Sequence, residues 1–210
     1  MLRDIRKQYD FSALNENEAE KHPFNQFSVW LETALQSDEQ EPTAMVLSTV
    51  DRQLQPHSRV VLLKDVHQNG LVFYTNYEGN KAREIAQNNK VSLLFFWQSL
   101  ERQVRITGIV EKVPDQVSED YFLSRPLDSR LGAWASEQST VIPSSAYLDE
   151  RFEFFRRKFG DKVPRPPHWG GYVVHPVTFE FWQGRPNRLH DRLLYSKTEN
   201  NEWKMERLSP

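Results

Sequence analysis

The 210-residue chain contains no cysteine. A thiol nucleophile, a redox-active CxxC pair, a zinc ribbon and an iron–sulfur cluster are thereby excluded. Any redox chemistry has to come from a borrowed cofactor. An excess of one charge is lacking too, since 27 basic residues stand against 29 acidic ones for a net of −2. A generic DNA-coating protein would be basic, so no nucleic-acid partner is expected. No apolar run approaches the roughly 20 residues of a membrane helix, and the N-terminus MLRDIRKQYDF has no stretch of signal-peptide type. The expected setting is the cytoplasm, with no membrane partner. His22, His57, His67, His168, His175 and His190 are scattered without HExxH or paired spacing, so no metal is expected. GxSxG and GxGxxG are both absent, which removes the hydrolase elbow and the Rossmann fingerprint.

What remains is a polar chain of mean hydropathy −0.70 that is nonetheless 12% aromatic. A chain this long buries roughly 70% of its unfolded surface and needs no staples. Residues 1–20 are polar and read as an N-terminal arm with one short helix near Leu2–Tyr9; residues 21–210 read as one domain. From Pro23 the apolar spacing is helical, with Phe24, Phe27, Leu31, Ala34 and Leu35 on one stripe. The period then becomes two. Thr43–Val50, Arg59–Lys64, Gly70–Asn76, Val91–Trp97 and Gln103–Val113 are strand candidates, with Val91–Trp97 expected to be buried on both faces. Helices are expected over Glu78–Asn88, from Pro114 through Phe122, over Pro126–Ser136 and over Pro143–Phe159. The segment Gly160–Pro167 is a loop, and Gly171–Trp182, Leu189–Ser196 and Trp203–Leu208 close the chain as strands. Strands on both sides of a helical block point to a mainly β, α+β architecture: an antiparallel barrel or sandwich with peripheral helices.

Of the 27 basic residues 17 are arginine, whose planar fork suits phosphate oxygens as well as surface carboxylates. Arg59 and Lys64 bracket Val60, Val61, Leu62 and Leu63, either as strand ends reaching solvent or as cations holding an anion. Gly79-Asn80-Lys81 opens a helix, where backbone N–H groups and a lysine favour an anion. Arg125-Pro126-Leu127-Asp128-Ser129-Arg130 sets small polar groups among arginines, a phosphate site or a pair of helix caps. Were Arg188, His190 and Arg192 on a strand, they would project from one face and repel one another unless an anion or solvent met them.

Together these stretches resemble the pyridoxine/pyridoxamine 5′-phosphate oxidase family. The motifs are RVVLLK (Arg59–Lys64), FYTN (Phe73–Asn76), LERQV (Leu100–Val104), SRPLDSRLGAWASEQS (Ser124–Ser139), WGGY (Trp169–Tyr172), EFWQG (Glu180–Gly184) and RLHDR (Arg188–Arg192). The resemblance implies a split antiparallel β-barrel working as a homodimer, with FMN at the subunit interface and a C-terminal segment used in dimerisation and substrate binding. It implies an FMN site of Arg59, Val60, Val61, Leu62, Leu63, Lys64, Tyr74, Thr75, Lys81, Gln103, Gln138, Ser139, Trp182 and Arg192. Substrate contacts would come from Lys64, Tyr121, Arg125 and Ser129 on the phosphate, and from Arg188, Leu189 and His190 beside the reacting carbon. Arg6 and Tyr9 would close over the site, and Arg188 and His190 would be the catalytic pair. The implied reaction takes a hydride from C4′ of pyridoxamine or pyridoxine 5′-phosphate to the flavin, with O2 as acceptor, giving pyridoxal 5′-phosphate and H2O2. Two positions depart from the family pattern: Asn80-Lys81 stands where Arg-Lys is frequent, and Glu41 stands where an Asp can occur. A non-catalytic flavin- or vitamer-binding barrel and a flavin-reductase-like relative are the alternatives.

Overall fold

The computed structural model describes residues 2–4, 8–67 and 70–210. Five helices and nine strands follow one another as α1 (Pro23–Leu35), β1 (Ala44–Val50), β2 (Pro56–Leu62), β3 (Asp65–His67), β4 (Gly70–Asn76), α2 (Asn80–Gln87), β5 (Lys90–Trp97), β6 (Arg102–Lys112), α3 (Asp115–Ser124), α4 (Leu127–Ala135), α5 (Ser145–Phe159), β7 (Trp169–Gln183), β8 (Asp191–Lys197) and β9 (Trp203–Arg207). The strands form one antiparallel sheet in the order β2-β1-β5-β6-β7-β4-β3, with β8 and β9 added beside β7. It curls into a split barrel.

The split arises in β7. One edge pairs with β6 from Tyr172 to Gln183. The other edge pairs first with β4, through Val174, and then with β8, from Thr178. The switch falls at Pro176, which has no N–H to give to a ladder. Opposite it the β6–β7 register shifts between Thr107 and Gly108, so that Gly108 faces Pro176 while Thr107 faces Thr178. The extra residue bends the strand toward its second partner. A Cβ on Gly108 would lie 2.5 Å from the His175 carbonyl oxygen, so the close approach requires glycine.

Helix α1 closes the barrel. Proline at its start and apolar residues at helical spacing set its inner face. Phe24, Phe27, Trp30 and Ala34 are buried on it, and Phe27 meets Phe95, Trp97 and Phe179. The expected stripe is therefore rotated: Trp30 is inside and Leu35 is exposed. A smaller cluster joins α3, α4 and the loop after α5 to β7 through Phe122, Leu131, Val163 and Trp169, with Phe152, Phe155 and Phe159 of α5 packed against it.

Strand β5 is not buried on both faces as expected. Val91, Leu93, Phe95 and Trp97 point inward, whereas on the outer face Ser92 and Leu94 are only partly buried and Phe96 is half exposed. The last region also differs. Pro186–Arg188 form a short 3-10 turn, with Asn187 and Arg188 at φ of 58° and 62°, before β8 begins at Asp191. Arg188 and His190 are thus in a turn ahead of the strand and share no strand face with Arg192. The arm is bound where it is described: Leu14 is buried, and Asp10 and Phe11 donate their N–H groups to the Glu101 carboxylate.

Gly108→Ala should destabilise the fold by about 2 kcal/mol, because backbone rather than a flexible side chain blocks the new methyl. A melting temperature lowered by roughly 4–8 °C is the expected result in a thermal unfolding scan; an unchanged one would mean the bulge relaxes freely.

Candidate active site

A cleft of about 750 Å3 opens between β2, β4, the start of α2 and the α3–α4 corner. That volume is in the range of cofactor and substrate pockets. Its first wall is made where β4 runs into α2. Gly79 precedes the helix and offers no side chain to cap it. The Gln138 side chain crosses there instead, and a Cβ on Gly79 would meet its Oε1 at 2.5 Å. Lys81 Nζ donates to Gln138 Oε1 at 2.7 Å and to Thr75 Oγ1 at 3.1 Å, while the Asn80 N–H donates to Ser139 Oγ at 3.2 Å. Burial and then the neighbouring Arg59 push the Lys81 ammonium below its usual range. A negative group would be welcome beside it. Asn80, the departure noted above, accepts from Arg83 Nη2 at 2.5 Å, so a guanidinium still stands one turn into α2.

Arg59 lines the cleft and is fixed from behind. Its guanidinium donates to the Leu47 and His57 carbonyls, to Thr49 Oγ1 and, at 3.1 Å, to Glu84 Oε2. Glu84 is buried and also holds the Thr49 hydroxyl and His57 Nδ1. Burial works to raise the Glu84 carboxyl, but the Thr49 hydroxyl and the Arg59 guanidinium outweigh it and keep the group below the usual carboxylate range. Glu84, which orients a cleft arginine from behind, was not among the residues singled out in the sequence. On a short polar helix it reads as a solvent-facing charge, and only its spacing of three from Lys81 hints otherwise.

The second wall is aromatic. Tyr74 stacks on Tyr121 at a centroid distance of 3.8 Å and on Trp169 at 5.5 Å. Arg125 lies over the Trp169 ring at 4.7 Å. Its Nη1 is buried and has no hydrogen-bond partner among the described residues. Burial lowers the Arg125 guanidinium and raises the Tyr121 hydroxyl. Ser129 and Lys64 complete this end. Of the RVVLLK run, Arg59, Val60, Val61, Leu62 and Lys64 line the cleft, whereas Leu63 is buried in the main core. Trp169, Asn76 and Ser136 also line the cleft and were not singled out as site residues in the sequence.

The remaining candidates gather elsewhere. Gln103, Trp182 and Arg192 occupy one register row across β6, β7 and β8. Arg192 is held by Glu180 Oε1 at 3.0 Å and by the Ser209 carbonyl. His190 packs on Trp182 at 4.6 Å, and Tyr9 meets both rings edge-on at 5.7 Å. The Arg185 backbone N–H donates to His190 Nδ1 at 3.1 Å. Burial, then the nearby Arg188, lowers the imidazole's affinity for a proton. With Nδ1 accepting, the neutral ring carries its proton on Nε2 and presents a donor. Arg188 and Leu189 are exposed beside it. None of this second group lines the cleft of the same chain. Arg6 lies outside the described residues, and Glu41 sits exposed in the turn before β1. Among the described residues no cluster of His, Asp and Glu could hold a metal ion, and no helix is long and apolar enough to cross a membrane.

Comparison with known proteins covers the whole chain. Residues 31–157 match the family model described as pyridoxamine 5′-phosphate oxidase, and residues 169–210 match that of the pyridoxine 5′-phosphate oxidase C-terminal dimerisation region. A pyridoxine/pyridoxamine 5′-phosphate oxidase of Paraburkholderia xenovorans is 50% identical over 210 residues, covering 100% of this chain and 99% of that one. PhzG from Burkholderia lata 383, solved with tetrahydrophenazine-1-carboxylic acid, superposes with a TM-score of 0.90 at 26% identity, over 97% of this chain and 100% of that one. An FMN-binding, pyridoxamine 5′-phosphate oxidase-related protein from Nostoc punctiforme shares the fold, with a TM-score of 0.74 at 17% identity over 91% and 100% of the two chains. With its motifs, its split barrel and its full-length similarity in agreement, the chain belongs to the pyridoxine/pyridoxamine 5′-phosphate oxidase family.

Proposed function

We propose that the protein is a cytoplasmic, homodimeric, FMN-dependent pyridoxal 5′-phosphate synthase. It would convert pyridoxamine 5′-phosphate, O2 and water to pyridoxal 5′-phosphate, ammonia and H2O2, and oxidise pyridoxine 5′-phosphate to the same aldehyde. The observation that carries the reading is Arg125, which lines a cleft together with Lys64, Lys81 and Arg59 and whose buried Nη1 has no hydrogen-bond partner among the described residues. Leaving a buried guanidinium nitrogen without an acceptor is costly, and a phosphate oxygen satisfies it.

The residues present fit FMN. Its phosphate suits the Lys81 ammonium, the Ser139 hydroxyl and the Arg59 guanidinium, which Glu84 keeps oriented. Gln103 and Gln138 offer amides to the polar edge of a flavin ring. The bound cofactor supplies the two-electron acceptor and its reoxidation by O2; the protein supplies orientation and electrostatics. Lys64, Arg125, Ser129 and Tyr121 would grip the substrate phosphate and set its distance from the cofactor. Arg188 would lie over the vitamer ring and favour developing negative charge. His190, neutral and protonated on Nε2, would donate a hydrogen bond to the reacting substituent rather than take its proton. Because Gln103, Trp182, Arg188 and His190 do not line the cleft of their own chain, a second copy would bring them there. The C-terminal dimerisation match and the exposed apolar Val60, Phe96 and Leu189 support that assembly.

PhzG supports a second reading, a tricyclic carboxylate without phosphate as substrate. The phosphate-type donors at Arg125, Ser129 and Lys64 favour the phosphorylated vitamer. Adding pyridoxamine 5′-phosphate to the FMN-loaded protein should release peroxide and pyridoxal 5′-phosphate in equal amounts, measured by a coupled peroxidase assay and by aldehyde absorbance. No peroxide from either phosphorylated vitamer would overturn the reading. Arg188→Ala should lower kcat/KM by more than about tenfold while bound FMN stays at the parental level. An unchanged steady-state rate would remove Arg188 from the reaction.

A further inference from the structure

Asp191 directly follows His190 and opens β8, and its carboxylate is buried. Oδ2 accepts the Leu14 backbone N–H at 3.0 Å and Arg185 Nη1 at 3.0 Å, and Oδ1 accepts Arg207 Nη1 at 2.7 Å. Arg207 in turn donates to the Leu14 carbonyl at 2.9 Å and grips both carboxylate oxygens of Glu16, at 2.5 and 2.6 Å. Both backbone polar groups of the buried Leu14 are therefore satisfied by side chains of β8 and β9, more than 170 residues away in the chain. A second foothold lies just before this one. Glu101 Oε2 accepts the Asp10 and Phe11 N–H groups, and the Glu101 carbonyl accepts the Gly184 N–H at 2.8 Å. Tyr9, next in line, covers Gly184 so closely that a Cβ there would sit 2.8 Å from its Cγ.

Arg185 ties the two sides together. Its side chain is on Asp191, and its backbone N–H is the group that sets the His190 tautomer. A lone exposed ion pair would be worth little. This network differs because a buried carboxylate is compensated by two guanidinium groups and an amide, so that removing one partner disturbs the others. Hydrogen bonding from Arg207 holds the Glu16 carboxyl at about 2. Its contribution is therefore fully present above the ordinary carboxylate range, and it is lost only as the pH falls towards 2.

We propose that Glu16, Arg207 and Asp191 form a positioning clamp that anchors the N-terminal arm and the Arg185–Asp191 turn to one carboxylate, holding Tyr9 and His190 together as one wall of the substrate site. The substrate part of this proposal rests on the oxidase reading; the mechanical part does not. Glu16 is exposed enough to change without unfolding the protein, so Glu16→Gln is the test variant and Glu16→Asp its charge-keeping control.

In the FMN-loaded protein, hydrogen exchange of the Leu14 and Arg185 amides should speed up together by about tenfold in Glu16→Gln. The dissociation constant for pyridoxal 5′-phosphate and the KM for pyridoxamine 5′-phosphate should rise about fivefold, with kcat within about twofold of the parent. Glu16→Asp should recover much of both effects. Unchanged exchange at Arg185 would overturn the clamp, as would faster exchange with parental vitamer binding. A parent protein that neither binds nor oxidises the vitamer would instead sink the oxidase reading, and the Arg185 exchange would still decide whether arm and turn share an anchor.

Discussion

Strand β7 has to satisfy the backbone of fifteen residues along two edges, and the rest of the molecule follows from how it does so. One edge is served by β6 almost throughout. The other cannot be served by a single strand, because Pro176 breaks the ladder and Gly108 lets the chain bend there. The first half of β7 therefore carries β4, and with it the Thr75–Lys81 corner and the Trp169 stack. The second half carries β8, and with it Trp182, the 185–190 turn and the arm. The two groups of site residues are held by one strand at its two ends, which separates them within a copy.

Charge placement follows the same division. Buried carboxylates direct guanidinium groups on both sides. Glu84 fixes Arg59 at the cleft, and Asp191 fixes Arg185 and Arg207 at the turn. In both cases burial alone would raise the carboxyl, and hydrogen bonds with opposite charges reverse the effect. Two other cations of the cleft are less compensated: Lys81 donates to the neutral oxygens of Thr75 and Gln138, and Arg125 retains a nitrogen with no partner among the described residues. Near-zero net charge thus coexists with a cationic cleft, because no acidic side chain is among its described lining residues.

Much of this was legible in the sequence. Alternating apolar residues gave β6 within a residue at each end, and Gly70–Asn76 is the strand its composition implies. The order of elements followed from period changes, which left a barrel or a sandwich open, and the split-barrel class followed from the family resemblance of the motifs. Four things were not legible. Trp30 rather than Leu35 is inside because helix rotation depends on what the barrel offers, not on the stripe alone. The turn at Arg188 escapes a strand reading because Asn187 and Arg188 take positive φ in a turn spanned by the Arg185 N–H bond to His190, which no side-chain period signals. Glu84 and Asp191 look like surface charges, since the sequence does not reveal that Glu84 is buried against Arg59, Thr49 and His57, or Asp191 against Arg185, Arg207 and the Leu14 N–H. Spacing also could not reveal that the family-type site residues form two separated groups.

That separation makes shared sites the central claim, and mixing two defective copies tests it most directly. Arg125→Ala damages the cleft and Arg188→Ala damages the turn, so each homodimer should be nearly inactive towards pyridoxamine 5′-phosphate. Random re-pairing of equal amounts should restore about a quarter of the parental rate, because half the dimers are mixed and one of their two sites is built from undamaged halves. A mixture no more active than its components would show that each copy builds its own site, contradicting the account.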